Sequence, residues 1–360
     1  MSFSFQKPRT LLIDALGAPD QSGGMQLVAG EIIRNWPTNT SAGRTVVVGP
    51  SWIKKLVISN PNSIFIFWPN KNPILRIFGQ MIFVPLVGVI FRAKSYLALN
   101  CVISPLLWGR DTTVIAHDWR HVMRPNEFSS FQLIYRRIWK SSAKHSQKIF
   151  AVSSKTSNET QQITGRADVV EWGLGGDHPA GWNVNQQELV DLENNILTFG
   201  LHTNKRPDLV ISAFLLARQE NLIPESSRLT VLGLNLENAD PNMNQLAEQF
   251  PGTLYFPGFV DSAEYQNLMA GSRFSVLASS DEGYGLPVVE SAYWGKRTLV
   301  SNDSGLKEIH GDLVIAVAPS VNDFSLGIAS MWVMNKGLVI NNKSWKQAAQ
   351  ELHDIVLQQQ

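Results

Sequence analysis

The stretch 275–296, SVLASSDEGYGLPVVESAYWGK, decides how the rest of the chain is read. Its opening SVLAS is a short apolar run of strand character, and VVESAYW has the spacing of a helix. Between them lies a loop with Gly283 and Gly285, and Pro287 falls where the helix would begin. Proline suits the first helical position, because the N–H it lacks would have had no intrahelical partner. The N–H groups and dipole at such a helix end attract an anion, and a diphosphate fits that description. Two carboxylates flank the site: Glu282 in the loop, and Glu290 eight residues on, in the predicted first turn. An acidic residue in a first turn favours any helix, and a loop glutamate can be no more than a solvated side chain. Neither explanation accounts for the two glycines and the proline between the pair.

Outward from this unit, short apolar runs alternate with amphipathic stretches, the pattern of parallel sheets covered by helices. Toward the amino terminus, TLLIDAL, RTVVVG, SIFIFW, TTVIAH and KIFAVS read as strands bounded by turn-forming residues. GGMQLVAGEIIRNW after the first of them carries Met25, Val28, Ile32 and Ile33 at helical spacing. A second series begins at Asn195 with NILTFGL and DLVISAFLLARQ, and continues through RLTVLGL, LYFPGFV and RFSVLASS. The stretch GLGGDHPAGWNVNQQ between the series has little periodicity and reads as a linker near residues 173–190. SWKQAAQELHDIVL reads as one amphipathic helix. The expectation is therefore an α/β chain of two Rossmann-like domains. Residues 1–178, joined by the carboxy-terminal helix 343–360, form the first, and residues 179–342 the second. Ligands are expected at the carboxyl ends of the strands, in a cleft that the two domains face.

The chain of 360 residues is 44% hydrophobic and 17% charged, so it can bury large cores and is not disordered. The single Cys101 excludes a disulfide framework and a four-cysteine zinc site. The start MSFSFQKPRTLLIDAL has no apolar run long enough for a signal peptide before Asp14. A reduced, cytoplasmic compartment is expected. The net charge of +1 hides an asymmetry: residues 1–150 hold 18 Lys and Arg against 6 Asp and Glu, whereas residues 151–360 hold 13 against 24. A basic half suits nucleic acid, an anionic membrane surface or a phosphorylated substrate, or it simply keeps a domain soluble. No nucleic-acid motif accompanies it. Within it, IFGQMIFVPLVGVIF (77–91) is strongly apolar but shorter than the roughly 20 residues of a spanning helix. Two readings stay open there: a buried helix, or a helix lying in a bilayer interface, which would make the protein peripheral at the inner membrane surface.

The stretch EGYGLPVVE resembles the signature of the family-4 retaining glycosyltransferases, which have the GT-B architecture. Glu282, Gly283, Tyr284, Gly285, Leu286, Pro287 and Glu290 all match it. GKRTLVSNDSGLKEI looks like the family's next strand, loop and helix, with Ser304 in place of one glycine of the usual pair. ILTFGLHTNKRPDLVISAF resembles the first strand and helix of the donor-binding domain, with Lys205 where a lysine reaches the donor diphosphate. Many members carry an arginine after the strand glycine. Here Leu201 follows Gly200, leaving Arg206 or His202 to substitute. In the amino-terminal half, QSGGMQ resembles a glycine pair in which Gly23 and Gly24 let the backbone approach a phosphate or the acceptor. TVIAHDWRHVMRPNEFSSFQLIYRR resembles the segment whose strand delivers a histidine, here His117, close to the transferred sugar.

The resemblance covers roughly residues 10–310 and implies a hexosyl transfer from a nucleotide diphosphate sugar to a glycan or lipid-linked saccharide in polysaccharide assembly. KRPD and EFSSFQLIYRR look most like members that use GDP-mannose. It further implies that Glu282 and His117 serve the reacting sugar, that Lys205, Arg206 and the 283–287 loop hold the donor, and that Glu290 holds its ribose. No resident metal or cofactor is implied, the nucleotide sugar being a co-substrate. His117 and His121 are four apart, but Asp-Trp-Arg lies between them, so no metal pair is expected. His310 and His353 read as structural. The alternatives are another enzyme of the same architecture, such as a glycosyl phosphorylase, and a non-catalytic nucleotide-sugar-binding module.

Overall fold

A computed structural model describes residues 10–20, 22–38, 43–201, 203–234, 241–334 and 343–357. His202, and residues 358–360 of the expected terminal helix, lie outside the described residues. The chain divides into two compact units, Met1–Gly175 with Lys343–Gln360, and Gly176–Asn342.

The first unit is built on a seven-stranded sheet. Its strands are β1 (Leu11–Asp14), β2 (Thr45–Gly49), β3 (Ser63–Phe67), β4 (Ser95–Ala98), β5 (Asp111–Ala116), β6 (Lys148–Ala151) and β7 (Val169–Glu171). Their order is β3-β2-β1-β4-β5-β6-β7, every pair parallel. Helices cover such a sheet on both faces, which is why β1 and β2 read as unbroken apolar runs and are buried along their whole length. The second unit carries a six-stranded sheet of β8 (Asn195–Phe199), β9 (Arg228–Leu232), β10 (Leu254–Gly258), β11 (Phe274–Leu277), β12 (Thr298–Ser301) and β13 (Val314–Val317). Its order is β10-β9-β8-β11-β12-β13, again all parallel. Two parallel α/β units of this kind are the GT-B architecture.

The sequence reading does not include β4 or β13. β4 runs straight into the buried stretch Leu99–Ile103, where a single buried Asn100 is the one break in the apolar run. The expected linker is more structured than its composition suggests, with a tight turn at His178–Gly181 and a helix at Gln186–Asp191.

The terminal helix Trp345–Leu357 belongs to the first unit. Trp345 is fully buried against Gly175, where a Cβ would stand 2.5 Å from the indole. The Trp172 indole donates to the Ala348 carbonyl at 2.9 Å, and the Lys343 ammonium donates to the Trp172 carbonyl at 2.6 Å.

The apolar segment is a continuous helical stretch from Pro73 to Ile90, interrupted only by a wider turn at Gly79–Phe83. It begins four residues before Ile77 because the Asn72 side chain accepts from the Ile74 N–H at 2.8 Å, with Pro73 as the first helical residue. It is not a buried helix. Only a third of its residues are buried, although its mean hydropathy is 1.9. By length and composition the 18-residue helix could cross a membrane.

Replacing a fully buried tryptophan by alanine typically costs about 3–5 kcal/mol. Trp345→Ala is expected to lower the urea midpoint of the first unit accordingly and to leave the transition of the second unit in place.

Candidate functional site

In the second unit the strand order reverses between β8 and β11, and in open parallel sheets ligands bind at the carboxyl ends on either side of that reversal. The loops leaving these two strands hold most of the expected donor residues. The loop after β8 passes Gly200 and the exposed Leu201 into a tight turn at Thr203–Lys205. The loop after β11 carries Ser279, Ser280 and Asp281, all buried, before Glu282. The Ser280 N–H donates to the Asn204 carbonyl at 2.9 Å, and the Asn204 amide donates to the Asp281 carbonyl at 3.3 Å. These bonds bring the Lys205 ammonium onto the Glu282 carboxylate in an ion pair whose side chains are 19% and 15% exposed.

Gly285 has a φ of 82° and starts the helix Leu286–Tyr293, so Pro287 is its second residue. A Cβ on Gly285 would stand 2.4 Å from Leu306 Cδ2. The loop before it is held from the next strand–helix connection. The Glu282 N–H donates to the Ser304 carbonyl at 3.1 Å. Ser304, the departure from a glycine pair, donates its hydroxyl to the Ser301 carbonyl at 2.6 Å and accepts from the Leu306 N–H at 3.1 Å. His310 reaches the Tyr284 carbonyl at 2.5 Å and packs edge-on to the Tyr284 ring. Burial lowers the His310 pKa to about 4, against the Tyr284 bond and the Glu282 charge that raise it. The neutral ring therefore donates to Tyr284.

Arg206 also has a positive φ, 47°, and precedes the helix Pro207–Gln219. Its guanidinium forms a two-bond pair with Asp303 at 3.0 and 2.7 Å.

Glu290 is the fifth residue of its helix and lies past the first turn, which corrects the expected position: the helix starts at Leu286, one residue before the proline. Its carboxylate is buried and both oxygens are engaged. His178 Nε2 lies 2.9 Å from one, and the Tyr265 hydroxyl donates to the other at 2.5 Å. Burial, and next the Glu290 charge, hold the Tyr265 phenol well above its ordinary pKa, so it remains a donor. Trp182 packs edge-on to both His178 and Tyr265. Sequence reasoning missed His178 and Tyr265. Neither carries a local signal, since they lie 112 and 25 residues from their partner.

Thus Lys205, Arg206, Glu282–Pro287 and Glu290 are gathered in the second unit, and Gly23, Gly24 and His117 belong to the first. Gly23 has a φ of 60° and open space where a Cβ would stand, and Gly24 opens the helix Gly24–Arg34. His117 follows β5 and is bonded through Nε2 to the Leu99 carbonyl at 2.9 Å. Burial lowers its pKa, more than that bond and the Asp118 charge raise it. His121 instead packs among Trp119, Phe128 and Trp139. Among the described residues no group of three His, Cys, Asp or Glu side chains is placed to hold a metal ion.

Residues 186–359, a little under half of the chain, match the family described as "Glycosyl transferases group 1". No curated protein matches the chain. Among solved structures, HepE of Anabaena in complex with UDP and glucose superposes with a TM-score of 0.66 at 17% identity, over 97% of this chain and 95% of that one. A glycosyltransferase from Rickettsia africae gives 0.66 at 15% identity over 98% of each chain. WaaG, a glycosyltransferase involved in lipopolysaccharide biosynthesis, gives 0.61 at 15% identity, over 96% and 95%. At these identities the likeness is one of fold, and activity has to be argued from the site.

His310 titrates near 6.5 in an unfolded chain and near 4 in place, so between these values only the unfolded state takes the proton. Its contribution to stability is present above about pH 6.5 and is lost as the pH falls through 4. His310→Gln keeps a donor for Tyr284 without a titrating ring. Urea midpoints at pH 7 and pH 4.5 are expected to drop further for the wild type than for this variant.

Proposed function

We propose that the protein is a retaining glycosyltransferase that moves a hexosyl group from a nucleotide diphosphate sugar to a hydroxyl of a glycan or lipid-linked saccharide in polysaccharide biosynthesis. The observation that carries this reading is the convergence of Lys205 and Glu282 beside the start of the helix Leu286–Tyr293, at the strand-order reversal of the stretch that matches the group 1 family. In the proposed complex the donor diphosphate takes the Lys205 ammonium from Glu282 and lies against the helix start. Glu282, released, turns to the sugar near its reacting carbon. Glu290 accepts from the ribose hydroxyls while His178 and Tyr265 hold it in place. His117 and the Gly23–Gly24 turn serve the sugar and acceptor from the first unit.

The transfer breaks the bond between the anomeric carbon and the diphosphate oxygen and forms the acceptor oxygen–carbon bond on the same face. The acceptor proton passes to the leaving phosphate, so no covalent carboxylate intermediate is required, in contrast to retaining glycoside hydrolysis. Lys205 and the helix dipole stabilise the departing charge, and the reading needs no resident metal or cofactor. The proposed donor is GDP-mannose, on the likeness of KRPD and EFSSFQLIYRR to members that use it. The buried, unpaired Cys101 suits a cytoplasmic setting.

A thermal-shift panel with GDP, UDP, dTDP and ADP tests the donor. GDP is expected to raise the melting temperature of the wild type, and Lys205→Ala to abolish the rise. Stabilisation by UDP instead reassigns the donor, and no shift with any nucleotide overturns the assignment of a nucleotide-sugar donor. With the stabilising sugar nucleotide and a saccharide acceptor, the product anomer read by NMR is expected to match the donor. Inversion of that configuration would overturn retention.

A further inference from the structure

The first unit presents an apolar surface that the transfer reaction does not use. On the helical stretch Pro73–Ile90, the residues Ile74, Phe78, Ile82, Leu86, Val89 and Ile90 are all exposed, Val89 at 71%. Their spacing puts them on one side of the helix. The opposite side is built into the domain. Gly79 packs on Trp68 and Gly88 on Tyr96, each so close that a Cβ would stand 2.4 Å from the aromatic ring or its hydroxyl. Buried Gln80 accepts from the Tyr135 hydroxyl at 2.9 Å and points its amide at Asp14 and Asn100, 3.5 Å from each. A helix fastened along its length cannot cross a bilayer, but it can lay its free side into one.

The Tyr135 contact also joins this stretch to the helix Ser130–His145, on which Phe131 and Ile134 are exposed at 51% and 62%. Arg137 and Lys140, three and six residues beyond Ile134, share that exposed side. Exposed Lys71 and Arg92 mark the two ends of the apolar helix. Residues 71–148 hold 12 Lys and Arg against 3 Asp and Glu, and all three acids are already paired. Asp111 lies 3.6 Å from Lys148, Asp118 3.4 Å from Arg136, and Glu127 2.6 Å from Arg120. Lys71 also lies 4.0 Å from Asp20, and the segment as a whole keeps a clear basic excess over its three acids.

We infer that this face docks on the surface of an anionic lipid bilayer, with the helix Pro73–Ile90 lying in the interface and its basic surroundings at the headgroups. Shallow apolar burial and attraction to anionic lipid then act together. A second copy of the chain would bring the same basic surroundings against themselves, so charge favours the bilayer over self-association.

Co-sedimentation of the whole chain with vesicles tests this without any sugar substrate, and so independently of the proposed transfer. Binding is expected to phosphatidylcholine vesicles containing phosphatidylglycerol and to be at least tenfold weaker to phosphatidylcholine alone. Leu86→Asp combined with Val89→Asp, both exposed positions, is expected to lower the affinity for anionic vesicles at least tenfold while the circular-dichroism melt stays that of the wild type. Arg137→Glu with Lys140→Glu is expected to remove most of the dependence on salt. Wild-type protein that stays in the supernatant with anionic vesicles at low salt overturns the inference. So does equal vesicle binding by the Leu86/Val89 variant. Lipid-free dimerisation that this variant abolishes would assign the face to a second copy instead.

Discussion

The backbone turns from β11 into the helix Leu286–Tyr293 through a left-handed residue at Gly285, and Leu306 packs where any side chain there would project. A Cβ would meet both the strain of a positive φ and a side chain 2.4 Å away, so the position admits glycine alone without rearrangement. Several connections rest on that turn. It places the Tyr284 carbonyl for His310, and it lets the loop run close enough to the next connection for Glu282 to bond Ser304 through its N–H. With the main chain so tied, the Glu282 carboxylate is directed toward Lys205, 77 residues earlier in the chain.

Charge in the second unit is arranged in partnered sets. Lys205 faces Glu282, Arg206 faces Asp303, and Glu290 is held between His178 and Tyr265. Partnering limits the cost of keeping ionised groups in a partly dry place. The three sets differ in what a ligand could exchange. The Lys205–Glu282 pair keeps some solvent access and can trade one partner for a phosphate. Glu290 is 3% exposed and enclosed by aromatic rings, so anything it binds has to fit beside partners that remain.

The sheets were legible because parallel strands covered on both faces leave apolar runs between turn residues, as LLID and TVVVG do. Where the punctuation is sparse the strand disappears from view, as with SYLA, whose apolar run continues past its end, and with the short VIAV at the sheet edge. The gathering of Lys205 with the 282–287 loop followed from chain order, since both leave strands at the point where the sheet reverses. His178 was invisible for a different reason. It sits in a stretch that composition marks as a linker, and its contact with Glu290 spans 112 residues. The exposure of Pro73–Ile90 was equally hidden, because hydropathy measures what a segment would prefer and not which side the surrounding chain leaves uncovered.

The last helix gives the first unit an unusual timetable. Trp345 seals against Gly175, and the Trp172 indole finds its acceptor in Ala348, so the amino-terminal sheet lacks part of its covering until residues 345–348 have been made. Residues 176–342, by contrast, form their unit from one contiguous stretch of chain. Domains emerging from the ribosome generally complete in order from the amino terminus. In this chain the second unit does not wait for the returning helix, whereas a chain cut after residue 342 would leave the amino-terminal unit with an open apolar seam.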